Sequence, residues 1–248
     1  MPCALCLADA PLRLSHIVPE FLHRDMYDEK HRFFGLSSTP EKAIRQFQKG
    51  LREELLCGKC EQTLAGYERY GSRVLYHDSL DGTLIGNVVG LRSLDYRSLK
   101  LFFLSLLWRF GVTSLEIFQS TKLGPHQEEL RRMIHEGDPG EALKYPCLLS
   151  AVMFNRKHVS DLIVPPSVGR VEGQRVWQII VGGFLMSFFV VSHNPPASLH
   201  ALFLQEDGTF NMQIREMREI DFLYEFTREM AIAQRQRVLA RQENQQDR

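Results

Sequence analysis

Two pairs of cysteines have the spacing that metal sites use. Cys3 and Cys6 form one C-x-x-C pair, and Cys57 and Cys60 form a second. Two intervening residues let both sulfur atoms of a pair reach one tetrahedral ion, and four thiolates are a common ligand set for structural zinc. The alternatives are four unrelated core thiols and two redox-active dithiols. Because the metal spacing occurs twice, we favour one structural zinc site held by all four cysteines.

The composition sets limits on the class of protein. The chain has 248 residues, of which 44% are hydrophobic and 24% are charged, as in an ordinary globular protein with a sizeable core. The formal net charge is zero, so any nucleic-acid surface must be local. Five cysteines are too few for a disulfide framework, and their metal spacing predicts a reducing, cytoplasmic compartment. The N-terminus lacks the pattern of a signal peptide.

One uncharged stretch admits two interpretations. Residues 176–192 contain no charged side chain, which just reaches the length of a membrane helix. Gly182 and Gly183 lie at its centre, however, between runs rich in Val, Ile and Phe. Such a glycine pair is typical of a tight hairpin turn. We therefore favour a buried β-hairpin and expect no membrane partner.

The remaining elements follow from periodicity and breakers. Pro19 can open a helix over residues 20–26. Further helices are predicted at residues 61–77 and 96–110, and from Pro125 to a stop at Gly137. An antiparallel sheet of about five or six strands should follow, and then a final helix over residues 219–240. The predicted strands are residues 147–154, 161–164, 175–181, 184–191, 199–205 and 209–217.

Residues 41–56 are ambiguous between a helix and a hairpin. A helix would place four basic residues on one face, namely Lys42, Arg45, Lys49 and Arg52. The dipeptide Lys49-Gly50 instead suggests a turn. We favour a hairpin with strands near residues 44–48 and 52–56, because it would lead the chain directly to Cys57. Either structure gives a local basic patch. The simplest explanation of this patch is a charged face exposed to solvent, without a binding role.

Three short motifs follow one another along the chain: C-x-x-C from Cys3, L-S-H-I-V-P at residues 14–19, and L-L-C-G-K-C-E at residues 55–61. This order resembles the zinc-bearing HNH, or ββα-metal, endonucleases. In that family two strands and a helix hold a catalytic metal, and paired cysteines hold a separate structural zinc. The chain is most similar to a bacterial branch written S-H-I-I-P … L-L-C-x-x-C-E. The resemblance covers roughly residues 3–77.

The resemblance, together with the helices and strands predicted for the rest of the chain, implies an α+β protein in three parts. Residues 1–80 would form a zinc-bound, treble-clef or HNH-like ββα module. Residues 81–145 would form a helical region. Residues 146–248 would form an antiparallel β region that ends in the final helix.

The resemblance also suggests site residues. His16 matches the family's general base, a role that suits an imidazole because its pKa lies near neutrality. Ser15 stands where many members have an aspartate ligand, and Glu61 stands where the last histidine would be. A carboxylate at Glu61 remains a competent ligand for Mg²⁺ or Mn²⁺. The family's middle asparagine is missing, and its position falls near Arg52 or Glu53. Arg52 could instead contact a phosphate through two hydrogen bonds.

Each of these residues also has a purely structural explanation. His16 could be a hydrogen-bonding structural histidine, and Glu61 an acid at a helix N-terminus. Two functions follow. The first is a metal-dependent nuclease that cleaves phosphodiester bonds of nucleic acid, with His16 as the base and the zinc structural. The alternative is a catalytically degenerate, zinc-stabilised module that binds nucleic acid or a protein partner.

Overall fold

Two strands and a helix organise the N-terminal part of the chain. Strand β1 (Leu12–His16) pairs antiparallel with β4 (Arg52–Cys57), and helix α1 (Gly58–Tyr76) begins directly after β4. The helix contacts both strands. The computed structural model describes residues 2–30, 32–35, 45–48, 50–77, 82–190 and 193–246. Across these residues the fold is α+β, as the sequence predicts.

A separate two-stranded ribbon lies between β1 and β4 in the sequence. Strand β2 (Arg32–Gly35) pairs antiparallel with β3 (Arg45–Gln48). The predicted strands near 44–48 and 52–56 therefore form, but their predicted pairing with each other is wrong. Strand β4 pairs with β1 instead, because its C-terminal half is buried beside the cysteines. Lys42 and Lys49 of the predicted basic patch lie outside the described residues.

The predicted helix at residues 20–26 forms only as two short 3-10 turns, Glu20–Leu22 and Arg24–Met26. The longer predicted helices form as full α-helices. Helix α2 (Tyr96–Val112) starts at the Asp95 cap, whose carboxylate accepts from the Ser98 amide at 3.1 Å. Most of its side chains are buried, and it packs between α1 and α3 (His126–Glu136).

The C-terminal part is built on one sheet that has eight strands among the described residues. Strand β8 pairs with β7 beside a path ordered β5-β6-β12-β7-β11-β10-β9. A final helix, α4 (Asp221–Gln246), follows the sheet. The strands are β5 (Thr83–Ile85), β6 (Val88–Leu91), β7 (Cys147–Phe154), β8 (Lys157–His158), β9 (Ile163–Val171), β10 (Gln174–Val181), β11 (Phe184–Phe188) and β12 (Phe210–Glu216).

This sheet differs from the prediction in three respects. Residues 82–90, for which a loop or a short strand is predicted within the helical region 81–145, form most of β5 and β6, so the sheet is larger than expected. Strand β12 lies parallel to β7, whereas the other pairs are antiparallel. The predicted strand at residues 199–205 is wrong, since a 3-10 helix occupies Ala197–Leu202. This helical turn follows two prolines and buries Leu199 and Phe203, four residues apart, in one apolar cluster.

The uncharged stretch forms the predicted hairpin of β10 and β11. Gly182 and Gly183 make its turn with φ angles of 60° and 81°, which glycine adopts without strain. A Cβ atom on Gly182 would collide with the Tyr76 hydroxyl and lie 2.8 Å from the Leu22 carbonyl oxygen. The sheet therefore contacts the N-terminal part at this turn. No helix within the described residues is long and apolar enough to cross a membrane.

One continuous core connects these parts. Buried side chains run from the cysteines through α2 to the sheet in a single cluster. The start of α4 covers a second, smaller cluster through Ile220 and Leu223. The N-terminal strands and helix are therefore packed directly on the helical and β regions.

Candidate metal centre and histidine site

The four cysteines of the two pairs converge. Their Sγ atoms all lie within 4.8 Å of one another, and those of Cys6 and Cys57 are 3.8 Å apart. A tetrahedral zinc with sulfur ligands at about 2.3 Å separates its sulfur atoms by about 3.8 Å. The cluster can therefore hold a metal ion such as zinc.

Backbone hydrogen bonds shape the first cysteine pair and attach it to β4. The Leu7 amide donates to the Cys3 carbonyl oxygen at 2.8 Å, and the Ala4 amide donates to the Leu55 carbonyl oxygen at 3.0 Å. The Cys57 amide donates to the Cys3 sulfur at 3.3 Å. Burial alone would raise the pKa of Cys3, but the backbone amides that donate to its sulfur lower this pKa to about 7. The surroundings of Cys3 thus favour its thiolate form, whereas burial raises the pKa of Cys60.

The fifth cysteine is not part of this cluster. Cys147 is buried at the start of β7, and burial raises the pKa of its thiol. It packs as an apolar side chain.

His16 ends β1 directly opposite Arg52 on β4. The Glu20 carboxylate lies between them: its Oε2 atom is 3.6 Å from His16 Nε2 and 3.8 Å from Arg52 Nη2. Nε2 is buried and makes no hydrogen bond to the described part of the chain. Burial, and then the Arg52 charge, lower the pKa of His16. The imidazole is therefore neutral at pH 7, the form that can act as a base.

A second histidine lies behind the first. The rings of His16 and His23 are 6.2 Å apart, and His23 Nε2 lies 3.0 Å from the Tyr27 hydroxyl. His23 is 1% exposed, and burial lowers its pKa to about 4. An open cavity adjoins this edge of the fold, lined by Glu20, Phe21, Arg24, Tyr27, Asp28 and Glu29.

A buried arginine fixes the end of β1. Arg109 on α2 donates from Nη1 to the His16 carbonyl oxygen at 2.8 Å and to Glu68 Oε1 at 2.7 Å. Arg109 is 2% exposed, and Glu68 belongs to α1. Two helices therefore hold the backbone of the histidine in place.

The structure places the other proposed site residues elsewhere. Glu61 lies in the first turn of α1, next to Cys60, at the end of the β1–β4 pair that carries the cysteines. Within the described residues, no hydrogen bond or ion pair joins Glu61 to His16. The α1 carboxylate that lies near His16 is Glu68, two turns further along the helix.

Ser15 and Glu53 have structural partners. The buried Ser15 hydroxyl donates to the Arg13 carbonyl oxygen at 3.2 Å and accepts from the Leu56 amide at 3.1 Å. Glu53 accepts from the Ser114 amide at 3.0 Å and from the Thr113 hydroxyl, at the end of α2. Burial would raise the pKa of Glu53, but these bonds lower it. Ser15 therefore connects β1 to β4, and Glu53 connects β4 to the residues that follow α2.

The donors near His16 do not match a catalytic metal site. Among described residues, the four cysteines are the only group of three or more His, Cys, Asp or Glu side chains whose ligand atoms come together. Mg²⁺ and Mn²⁺ prefer oxygen ligands, and the carboxylate that pairs with His16 is Glu20. The site therefore brings together an imidazole, a carboxylate and a guanidinium rather than a set of oxygen ligands.

Sequence reasoning missed Glu20, His23, Glu68 and Arg109. Glu20 could have been suspected, since it follows His16 by four residues. Arg109 lies 93 residues from His16 and 41 from Glu68. No local pattern indicates such distant partners.

Comparison with protein-family models, curated proteins and solved structures finds no significant match to this chain. Function is therefore inferred from the chemistry of the site. A neutral imidazole can take a proton, and a nearby guanidinium can bind an anionic oxygen. Together they suit a reaction on a phosphate ester.

Proposed function

We propose that the N-terminal part is a zinc-stabilised, HNH-like nuclease module that hydrolyses phosphodiester bonds of nucleic acid. His16 is the general base and Arg52 contacts the phosphate. The observation that carries the proposal is the cross-strand pair of these two residues, with Glu20 between them. His16 matches the family's base and Arg52 lies near the position of the missing asparagine, and the two residues are directly opposite each other on β1 and β4.

The chemistry uses groups of the chain itself. His16 Nε2 takes a proton from a water molecule, and the water oxygen forms a bond to phosphorus. The bond from phosphorus to the leaving oxygen breaks, and that oxygen receives a proton from the imidazolium or from solvent. Arg52 neutralises charge on the phosphate oxygens. Glu20, whose Oε2 atom lies 3.6 Å from His16 Nε2 and 3.8 Å from Arg52 Nη2, stabilises the positive charge of the imidazolium that forms.

The zinc assignment supports the HNH-like, treble-clef identity. One cysteine pair precedes β1 and the other joins β4 to α1, so one ion would hold both ends of the strand–strand–helix unit. Three of the four cysteines are buried, as expected for a closed structural site without an open coordination position. Zinc would therefore stabilise the scaffold and take no part in the reaction.

The resemblance also implies a catalytic Mg²⁺ or Mn²⁺. Ser15 and Glu61, the positions from which the family's ligands would come, do not approach His16 as a ligand set. The proposed steps therefore depend on His16, Arg52 and Glu20.

A second candidate is a non-catalytic zinc module that binds nucleic acid or a protein. The buried Ser15 favours this second candidate, because its hydroxyl is occupied by hydrogen bonds with the backbone of β1 and β4. In this case His16 and Arg52 would serve binding alone.

The test is cleavage of supercoiled plasmid, single-stranded DNA and RNA with Mg²⁺, with Mn²⁺ and without added metal. We expect His16→Ala to lower the rate by about 10²-fold or more, the usual contribution of a general base. Arg52→Lys should also lower the rate, since lysine cannot form the two parallel hydrogen bonds of a guanidinium. The matched controls are His135→Ala and Arg132→Lys, which alter exposed residues of α3.

The outcomes separate the two candidates. Cleavage lost with His16→Ala and retained in both controls supports the nuclease. Cleavage unchanged by His16→Ala shows that another site or a contaminant is responsible. Nucleic-acid binding without cleavage, by folded protein that contains zinc, supports the non-catalytic module.

A further inference from the structure

A second cavity lies at the far end of β7, where the turn before β8 meets the start of α4. It has a volume of about 380 Å³. Its lining includes Phe154, Arg156, Glu216, Arg218 and Tyr224. We propose that this aromatic–arginine cavity binds an unpaired base of single-stranded nucleic acid together with its phosphate. The inference rests on the proposed function for the identity of the substrate, and it assigns a role to the C-terminal part.

Two aromatic rings offer stacking surfaces. Phe154 and Tyr224 are each 56% exposed and line the same cavity. Two exposed rings at one cavity form a patch rather than scattered exposed side chains, and successive bases of a single strand stack on such rings. In a duplex the base faces are already stacked, so this surface favours unpaired bases.

The turn that carries Arg156 has an unusual backbone. Asn155 and Arg156 have φ angles of 51° and 63°, in the left-handed region that glycine prefers. The Arg156 amide donates to Glu216 Oε1 at 3.3 Å, which fixes the turn. Arginine is a costly choice at such a position, and a side chain kept there at a conformational cost points to function.

The charge of the cavity suits a phosphate. Neither Arg156 nor Arg218 forms a side-chain hydrogen bond or an ion pair with any other residue that the structure describes. The Glu216 carboxylate, the acid that lines the cavity, instead accepts backbone hydrogen bonds from the turn and from Glu219. Two guanidinium groups therefore remain available for phosphate oxygens.

The hairpin turn of β10 and β11 contacts both the N-terminal part and β8, the strand that follows Arg156. Tyr76 donates to the Gly182 carbonyl oxygen at 2.9 Å, and Leu22 lies against the same glycine. On the other side, His158 Nε2 donates to the Gly183 carbonyl oxygen at 3.0 Å, and His158 ends the strand that follows Arg156. The turn therefore connects the N-terminal part, which carries His16, to the strand that follows Arg156.

The experiment is fluorescence anisotropy with labelled single-stranded DNA and RNA of about 16 nucleotides, the upper site size of small single-strand binders. Phe154→Ala should weaken binding by about 10-fold, the effect of one lost stacking contact. Arg156→Gly removes the guanidinium and suits the left-handed backbone, and it should reduce the salt dependence of binding by about 0.7 in log–log slope. The control variants are Val168→Ala and Arg170→Ala, which change exposed side chains of the edge strand β9.

Two results would overturn the inference. One is single-strand affinity unchanged in both Phe154→Ala and Arg156→Gly. The other is a mononucleotide that binds as tightly as the oligonucleotide, which would make this a site for free nucleotides. Circular dichroism and zinc content of each variant confirm that the fold is intact.

The two proposals fail separately. His16→Ala should abolish cleavage but keep single-strand affinity. Binding that depends on Phe154 without any cleavage supports the cavity and rejects the nuclease. Cleavage that depends on His16, with single-strand affinity indifferent to Phe154 and Arg156, supports the nuclease and rejects the cavity.

Discussion

Arg109 and His16 are joined by a hydrogen bond of 2.8 Å from a buried guanidinium to a backbone carbonyl oxygen. The same nitrogen atom donates to Glu68 at 2.7 Å. Strand β1 and helices α1 and α2 therefore meet at the end of β1. The proposed base is positioned by α2 as well as by the pairing of β1 with β4. This arrangement makes the His16 site depend on residues far away in the sequence.

Breaking the Arg109–Glu68 pair should be strongly destabilising. We expect Glu68→Gln to lower the free energy of unfolding by about 3 kcal/mol, because it leaves a buried guanidinium without a carboxylate. Arg132 and Glu136 provide the control, since they form an ion pair of the same 2.7 Å length with side chains 48% and 50% exposed. Glu136→Gln should cost less than about 1 kcal/mol. Equal effects of the two substitutions in urea denaturation would contradict this account.

The cysteine cluster should bind one zinc ion per chain. Metal analysis of protein purified without added zinc should find a ratio of about one, and Cys57→Ser should lose the metal and much of the stability. Cys147→Ala is the control, because this buried cysteine lies outside the cluster and its loss should leave the zinc content unchanged. Soluble, folded protein without zinc would reject the assignment.

His23 should make the protein sensitive to acid. Its pKa is about 4 in the folded chain, against about 6.5 when unfolded. Below pH 6.5 the unfolded chain takes up a proton that the folded chain does not, so the free energy of unfolding falls as the pH decreases toward 4. The contribution is complete above pH 6.5, and the total loss is about 3 kcal/mol.

Urea denaturation at a series of pH values measures this effect. His23→Gln cannot titrate, so the decline in its unfolding free energy between about pH 6.5 and 4 should be shallower by up to one proton. His135→Gln, which changes an exposed histidine, should keep the steeper decline of the parent protein. Identical slopes for His23→Gln and the parent would show that His23 is not buried in its neutral form.

The glycine turn between β10 and β11 should tolerate no side chain. Gly182 and Gly173 have similar φ angles of 60° and 79°, but a Cβ atom on Gly173 would meet nothing within 4 Å. Gly173→Ala should therefore cost about 1 kcal/mol for the left-handed backbone alone. Gly182→Ala should cost about 1–3 kcal/mol more, because it forces the turn away from Tyr76 and Leu22. Thermal or urea denaturation of both variants tests the difference.

Much of the local structure could be predicted from the sequence. Helices α1, α2 and α3 and strands β7, β10 and β11 follow from hydrophobic period, caps and breakers, which act over a few residues. The pairing of the strands with one another could not be predicted from these local signals. Strand β3 pairs with β2 rather than β4, and β12 lies parallel to β7, because long-range burial selects the partner of a strand.

The candidate site divides in the same way. The spacing of the four cysteines predicts one ligand set, and the motif around His16 predicts a functional histidine, since spacing and residue type are local properties. That Glu20 and Glu68 lie near His16, and that Glu61 remains at the cysteine end, depends on the tertiary structure. Those neighbours depend on strand register and on the packing of α1 against α2, and both are set by burial between residues that are distant in the sequence.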